Sequence, residues 1–163
     1  MSGKATPATT LLAQRGVWHR VHEYVHDPSI TNFGLEAAEA LGVDIALVHK
    51  TLLVQFDRNG RADFAVGVVP VDGQLDLKAM AAALDVKKVE MARPADAERM
   101  TGYVVGGISP LGQRKLLSTV IDSDAEVYDT IYVSGGRRGL DIELAGADLA
   151  LLTGGLFAPI AAR

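Results

Sequence analysis

The chain has 163 residues, of which 48% are apolar and 22% charged, with a net charge of -4 and no cysteine. These values predict one globular domain over residues 1–163 and exclude disulfides, zinc-thiolate sites and a cysteine nucleophile. They also disfavour a broadly basic surface for nucleic acid, and the lack of an apolar run of about 20 residues or an apolar leader predicts a soluble cytoplasmic protein.

The N-terminal part is predicted to contain two capped helices. Residues 6–16 begin with Thr-Pro and end in Gly, which is typical of a helix with Pro at its first position. A strand over 17–25 should follow, and Asn32 can cap a second helix that ends at Gly42. Asp44 is expected to open one further short helical turn.

A β-hairpin is the clearest local pattern. Residues 50–56 and 62–69 are rich in apolar and β-branched residues, and Asp57-Arg58-Asn59-Gly60 lies between them. Because Asn-Gly adopts the positive φ angles of a tight hairpin turn, the two strands should pair antiparallel.

The remaining elements alternate between helix and strand. Helices are expected at 77–84, 94–101 and 147–152, and strands at 86–91, 116–121, 130–133 and 140–144. Since the hairpin rules out an all-parallel sheet, the pattern favours an α/β domain with a mixed sheet and disfavours a doubly wound nucleotide-binding fold.

The glycine-rich segment 103–115, YVVGGISPLGQRK, raises the question of a phosphate-binding loop. Gly107 and Gly112 have the spacing of a Walker loop, but Gln and Arg follow where Lys and Ser/Thr are required. Pro110 also removes one of the backbone N–H donors that such a loop needs. The segment is therefore not predicted to bind phosphate as a P-loop.

Ser109 does not fit a nucleophile turn either. The motif G-x-S-x-G would need glycine at position 111, which is leucine. The second cluster, 134–139 (SGGRRG), lacks the first glycine of a dinucleotide fingerprint and leads into a strand. Two interpretations stay open for both clusters: ordinary turns, or backbone N–H groups that approach an anionic or carbonyl-bearing ligand closely.

Side chains elsewhere also have two interpretations each. Lys50 shares a strand face with three apolar residues, so it either extends its ammonium to water or is a cation held at the rim of a pocket, where it could bind a phosphate, a ribose hydroxyl or a carbonyl oxygen. Asp141 faces away from the apolar side of its strand and is either solvated or directed at a pocket. Tyr24 and Phe33 flank a polar turn and could be the rim of the core or a platform for a base or ribose.

The four histidines do not predict a metal site. On an extended strand His19 and His22 point to opposite faces, and His22 and His26, although on one face, would be about 13 Å apart. No metal or other cofactor is expected.

Long strings of the chain nevertheless closely resemble the YbaK family of Cys-tRNA(Pro) deacylases. The match spans almost the whole chain and is carried by YVHDP (24–28), TNFG (31–34), KTLLV (50–54), VDGQLDLK (71–78), YVVGGISPLGQ (103–113) and IYVSGGRRGLDIEL (131–144). The resemblance implies a single domain with a mixed, mostly antiparallel, barrel-like sheet surrounded by helices, as in the editing insertion of prolyl-tRNA synthetases.

The resemblance also implies an activity and a set of site residues. The activity is hydrolysis of the ester in mischarged Cys-tRNA(Pro), or Cys-tRNA(Cys), through attack by the substrate's own thiol. Partners would be aminoacylated tRNA and prolyl-tRNA synthetase, with no membrane involved. The implied catalytic residues are Lys50, Gly106 and Asp141, and the implied substrate-binding residues are Tyr24, Phe33, Thr51, Gly107, Ile108, Ser109 and Pro110.

Two alternatives stay open from the sequence. The wider superfamily includes enzymes that remove alanine from tRNA(Pro), and the same fold could serve as a non-catalytic module that binds tRNA or a synthetase. His49 stands where a tyrosine is expected in the bacterial relative, which would alter the rim of the site and leave its chemistry intact.

Overall fold

The computed structural model describes residues 5–163, and within them the chain forms five α-helices with well-defined ends. Thr6 and Asn32 cap the first two helices through their side-chain oxygens, which accept the backbone N–H groups of Thr9 and Leu35. The predicted helices are confirmed to within one or two residues: α1 (Pro7–Arg15), α2 (Phe33–Leu41), α3 (Leu77–Leu84), α4 (Pro94–Thr101) and α5 (Gly146–Thr153).

Ten strands accompany these helices in the described part of the chain. They are β1 (Arg20–Glu23), β2 (His49–Arg58), β3 (Arg61–Pro70), β4 (Gln74–Leu75), β5 (Glu90–Met91), β6 (Ser118–Asp122), β7 (Ile131–Arg137), β8 (Leu140–Leu144), β9 (Leu156–Ala158) and β10 (Ala161–Ala162). The β3–β6 and β6–β9 pairs are parallel and the others antiparallel, which confirms a mixed sheet arrangement.

The predicted hairpin is confirmed and is the longest ladder of the fold. Strands β2 and β3 pair over ten residues each, from His49 opposite Pro70 to Arg58 opposite Arg61. The turn residues Asn59 and Gly60 have φ angles of 53° and 80°, as the Asn-Gly pair predicts.

The prediction of a barrel-like sheet was wrong, because the strand pairing does not close into a barrel. The strands form three sheets, in the orders β1-β8-β7, β10-β4 and β5-β2-β3-β6-β9, and none of them is closed. A single parallel bridge between Val48 and Tyr132 brings the first sheet beside β2. One bridge does not continue into a ladder, so the two larger sheets stay separate.

Two predicted strands are shorter than expected because few residues find a partner. Of the residues 17–25, only Arg20–Glu23 pair with β8, and of 86–91 only Glu90–Met91 pair with β2. The short strands β4, β9 and β10 were missed, since two or three residues carry too little pattern to be recognised.

The main core lies between the two larger sheets and is covered by α1 and α5. It includes Leu12, Val66, Val68, Ile142 and Leu149, which are all fully buried. A second core packs α3 against the other face of the β2–β3 hairpin. Among the described residues, no helix combines the length and the apolar character needed to cross a membrane.

Candidate active site

A cavity of about 620 Å³ opens between the start of β2, the start of α2, the segment 105–108 and strand β8. Its size is within the range of small-ligand sites in proteins. It brings together seven of the ten residues implied by the sequence: Tyr24, Phe33, Lys50, Thr51, Gly106, Ile108 and Asp141. The apolar part of its wall includes Val48, Leu53, Val71, Met91, Pro94 and Ala97.

Lys50 supplies the cation of the cavity. It lies in β2 opposite Val69 and is half-buried, and within residues 5–163 its ammonium has neither an ion pair nor a hydrogen bond. Burial lowers the pKa of Lys50 from its usual value. An unpaired ammonium in a partly dry cavity can bind an anionic or carbonyl oxygen of a ligand at little cost in competing contacts.

Asp141 supplies the carboxyl group. Its neighbours Leu140 and Ile142 are fully buried in the core, so the strand alternation turns Asp141 to the opposite face, where it lines the cavity and is only 6% exposed. Burial raises the pKa of Asp141 to about 7. Burial of Tyr24 is the main cause that raises the pKa of its phenol to about 12, and the nearby Asp141 carboxylate adds to this shift. A cavity group that titrates near neutrality is a common feature of active sites.

The segment Val105–Ile108 forms the third wall through its backbone. The N–H of Gly107 is turned away and donates to the carbonyl of Val104 at 2.8 Å, whereas Gly106 and Ile108 line the cavity. Neither of their N–H groups has a hydrogen-bond partner among the described residues. Two such N–H groups can donate hydrogen bonds to a carbonyl oxygen and stabilise the negative charge that develops on it.

The backbone of this segment is fixed from outside the cavity. The N–H of Val105 donates to the Glu98 carboxylate at 2.8 Å, and the carbonyl of Val105 accepts two hydrogen bonds from Arg138. Gly106 has a φ of +91°, and a Cβ there would lie 2.5 Å from Nε of Arg138. Glycine is therefore required at 106 by both conformation and space.

Three residues of the predicted binding set lie behind this wall. Gly107, Ser109 and Pro110 are buried and do not line the cavity. A Cβ on Gly107 would meet the backbone of Arg137 at 2.6 Å, so this glycine serves the close packing of the two glycine clusters. The Ser109 hydroxyl accepts the N–H of Leu111 at 3.2 Å, which makes it part of a turn.

His49 is the residue whose position was least expected. It is 3% exposed, and burial lowers its pKa from the usual value. Nδ1 lies 2.9 Å from the carbonyl of Leu47, and within residues 5–163 neither its Nε2 nor the hydroxyl of Thr51 has a partner. Ser134, another lining residue, was missed; its register opposite Asp141 would have revealed it once β7 and β8 were paired.

The other histidines are each occupied by a different partner. His19 lies against the carbonyl of Val17, His22 against Glu143 at 3.1 Å, and His26 against Glu36 at 2.6 Å. Among the described residues no three His, Cys, Asp or Glu side chains are grouped as metal ligands. The cavity is therefore best described by its ammonium, its carboxyl group and its backbone donors.

Comparison with known proteins gives a family and an overall fold. A family model described as "Aminoacyl-tRNA editing domain" matches residues 27–152. The chain is also similar to a solved structure of a protein assigned as a trans-editing enzyme for prolyl-tRNA synthetase, with a TM-score of 0.82 and 24% identity. The alignment covers 100% of this chain and 99% of that one. At this identity the structure supports the fold alone.

Two curated relatives carry more specific names. EbsC of Enterococcus faecalis, assigned as a Cys-tRNA(Pro)/Cys-tRNA(Cys) deacylase, is 37% identical over 159 residues, covering 97% of this chain and 94% of that protein. The Ser/Thr-tRNA deacylase ProXp-y of Escherichia coli, described as multifunctional, is 28% identical over 141 residues. The alignment covers 85% of this chain and 81% of that protein.

Proposed function

Because the chain belongs to the aminoacyl-tRNA editing domain family, we propose that it is a trans-editing deacylase of Cys-tRNA(Pro), with Cys-tRNA(Cys) as a candidate second substrate. Editing is needed because a synthetase pocket discriminates poorly between amino acids that differ by one methylene, about 1 to 3 kcal/mol. The action would be cytoplasmic, where aminoacyl-tRNA is used.

The observation that carries this proposal is a cavity with charged and backbone groups but no activated nucleophile. The chain has no cysteine. Thr31, Thr51 and Ser134 line the cavity, and within the described residues none of their hydroxyls is hydrogen-bonded to a histidine or a carboxylate. Such a site suits a reaction in which the substrate brings its own nucleophile.

In the proposed reaction the cysteinyl thiol attacks its own ester carbonyl. The S–C bond forms, the bond from the carbonyl carbon to the ribose oxygen breaks, and the thiol proton ends on the released ribose hydroxyl. The product is a cyclic thiolactone, which water then opens. The protein's contribution would be orientation of the thiol over the carbonyl and polarisation of that carbonyl.

The three cavity groups have separate roles in this proposal. The N–H of Gly106, with that of Ile108, would bind the carbonyl oxygen as its negative charge develops. Lys50 would hold a phosphate or ribose oxygen of the terminal adenosine. Asp141 would accept hydrogen bonds from the substrate's amino group, which its ionised form does best.

A panel of mischarged tRNAs tests the thiol directly. We expect single-turnover hydrolysis of Cys-tRNA(Pro) to be faster than that of Ser-tRNA or Ala-tRNA(Pro) by about 100-fold or more, since neither serine nor alanine offers a thiol for the internal attack. Loss of labelled amino acid from tRNA at enzyme excess measures the three rates.

Each other outcome of the panel assigns a different function. If Ser-tRNA were cleaved as fast as Cys-tRNA, the thiol would have no part in the mechanism, and the substrate specificity would resemble that named for ProXp-y. Preferred cleavage of Ala-tRNA(Pro) would indicate alanine editing. Binding without cleavage of any ester would indicate a non-catalytic module.

Ser109→Ala separates the buried turn from the chemistry. We expect the kcat/KM of deacylation to stay within about twofold of the wild type, because the hydroxyl contacts Leu111 and not the cavity. The free energy of unfolding should fall by about 1 kcal/mol for the lost buried hydrogen bond. A loss of activity without a loss of stability, measured by urea titration, would restore Ser109 as a catalytic candidate.

We also propose prolyl-tRNA synthetase as a partner that supplies tRNA selectivity. A net charge of -4 gives the chain little general attraction for a polyanion. Deacylation of Cys-tRNA(Pro) at limiting enzyme should therefore be faster with the synthetase present than without it. An equal rate in both reactions would argue against this partner.

A further inference from the structure

Arg138 contacts the cavity wall from the outside at two points. Its Nε and Nη2 donate to the carbonyl oxygen of Val105 at 3.0 and 2.6 Å. Its guanidinium also lies 4.8 Å from the centre of the Phe33 ring, within cation–π distance. One side chain from the β7–β8 turn therefore links the 105–108 wall to the start of α2.

The Val105 carbonyl matters because of the peptide group to which it belongs. That carbonyl and the N–H of Gly106 are parts of one peptide unit, which is planar, and in its trans form the two point in opposite directions. Arg138 holds the carbonyl on its own side, so it also fixes the direction of the Gly106 N–H. This N–H is one of the two backbone donors of the cavity that have no partner among the described residues.

Phe33, the second contact of Arg138, is itself held in place. The ring of His26 lies 5.7 Å from that of Phe33, and Nδ1 of His26 is 2.6 Å from the buried carboxylate of Glu36 in α2. Glu36 also accepts the N–H of Asp27 at 2.8 Å. Arg138 thus packs against an anchored ring, which limits the movement of its guanidinium.

We infer that Arg138 is a positioning residue that orients the Gly106 N–H toward the ester carbonyl. The catalytic consequence of this inference rests on the proposed deacylase function. Its structural part, the orientation of one peptide group, is independent of that function. Arginine suits the position because a planar guanidinium can offer two donors to one oxygen while its face covers an aromatic ring. A lysine ammonium cannot make both contacts.

Three variants test the inference by steady-state kinetics on Cys-tRNA(Pro). For Arg138→Ala and Arg138→Lys we expect kcat to fall by about 10- to 100-fold with KM changed less than about threefold, since the donor acts on the transition state. Arg61→Ala is the control: it removes the same charge from an exposed arginine beside the β2–β3 turn, outside the cavity. It should keep kcat within about twofold of the wild type.

Several results would overturn the inference. These are an unchanged kcat in Arg138→Ala, full activity in Arg138→Lys, or an equal loss in Arg61→Ala. A rise in KM alone that deepens with salt would instead make Arg138 a contact for tRNA phosphate.

The backbone order parameter of Gly106, measured by NMR relaxation in the absence of tRNA, tests the structural part without any activity. In Arg138→Ala and Arg138→Lys the Gly106 amide resonance should shift and its order parameter should fall from about 0.85 to below about 0.6, because the peptide group is no longer held at its carbonyl, while amides of the β2–β3 hairpin stay unchanged. An unaltered resonance and order parameter would overturn the inference even if activity fell. If the wild type cleaved no ester but its Gly106 amide responded as expected, the proposed function would fail and the orienting role of Arg138 would stand.

Discussion

Asp141→Asn is expected to reduce deacylation of Cys-tRNA(Pro) by about 100-fold and, at pH 8, to make the protein more stable. Asparagine keeps the shape of the side chain but cannot carry the negative charge that the substrate's amino group requires. The same charge is unfavourable in the free protein, because Asp141 is buried and no hydrogen bond or ion pair to it occurs among the described residues. Function and stability should therefore respond in opposite directions.

The pH dependence of stability has a definite sign. The pKa of Asp141 is about 7 in the folded state and 3.8 in the absence of the fold, so the folded state holds the proton more tightly. Below about pH 4 both states are protonated and the group has no effect on stability. As the pH rises from about 4 to 7 the unfolded state ionises while the folded state keeps its proton, so the free energy of unfolding falls; above pH 7 both states are ionised and the decrease is complete.

Urea unfolding at several pH values measures this difference. At pH 8 the free energy of unfolding of Asp141→Asn should exceed that of the wild type by on the order of 2 kcal/mol, and the two should converge near pH 4. Asp129→Asn, at an exposed position, is the matched control and should show no such dependence. A variant that is less stable than the wild type at pH 8 would contradict the account of a buried, unpaired carboxyl group.

The wild-type rate should follow the same ionisation. Between pH 6 and pH 8 the deacylation rate, corrected for spontaneous hydrolysis, should rise as Asp141 loses its proton near pH 7. The residual rate of Asp141→Asn should lack this step. A step of equal size in the variant would assign the ionisation to another group.

Lys50→Ala is the second change with a large expected effect, a loss of about 100-fold or more in kcat/KM. The ammonium has no partner among the described residues, so its removal should cost little stability while it deprives the substrate of its cationic contact. Lys50→Met, which keeps most of the side-chain volume, should be as inactive as Lys50→Ala.

The matched control for the lysine is Lys88→Ala, which removes the same charge from an exposed residue outside the cavity. Kinetics on Cys-tRNA(Pro) together with a urea titration compare the variants. Full activity of Lys50→Met would show that the volume of the side chain matters and its charge does not.

Local structure could be predicted from the sequence wherever its cause is local. The caps at Thr6 and Asn32 and the Asn59-Gly60 turn act over a few residues and were identified correctly. The division into three sheets was not predicted, because it depends on which distant strands find partners, such as β3 with β6.

The same distinction holds for the site. Strand alternation placed Lys50 on one face with apolar residues and turned Asp141 away from its apolar neighbours, and the structure brings both to one cavity. The glycine-rich string did not reveal which of its residues face that cavity, since a loop has no fixed period. The contact of Arg138 with Val105 joins residues 33 positions apart and depends on the packing of two loops.

The Val105 peptide groups are held on both sides, by Glu98 at the N–H and by Arg138 at the carbonyl. This restraint determines when conformational entropy is lost. The segment is ordered as the chain folds, so little further ordering is needed when an aminoacyl end enters the cavity. Variants that release Val105 should therefore show a more unfavourable activation entropy for deacylation than the wild type, and cooling should recover part of their lost activity relative to it.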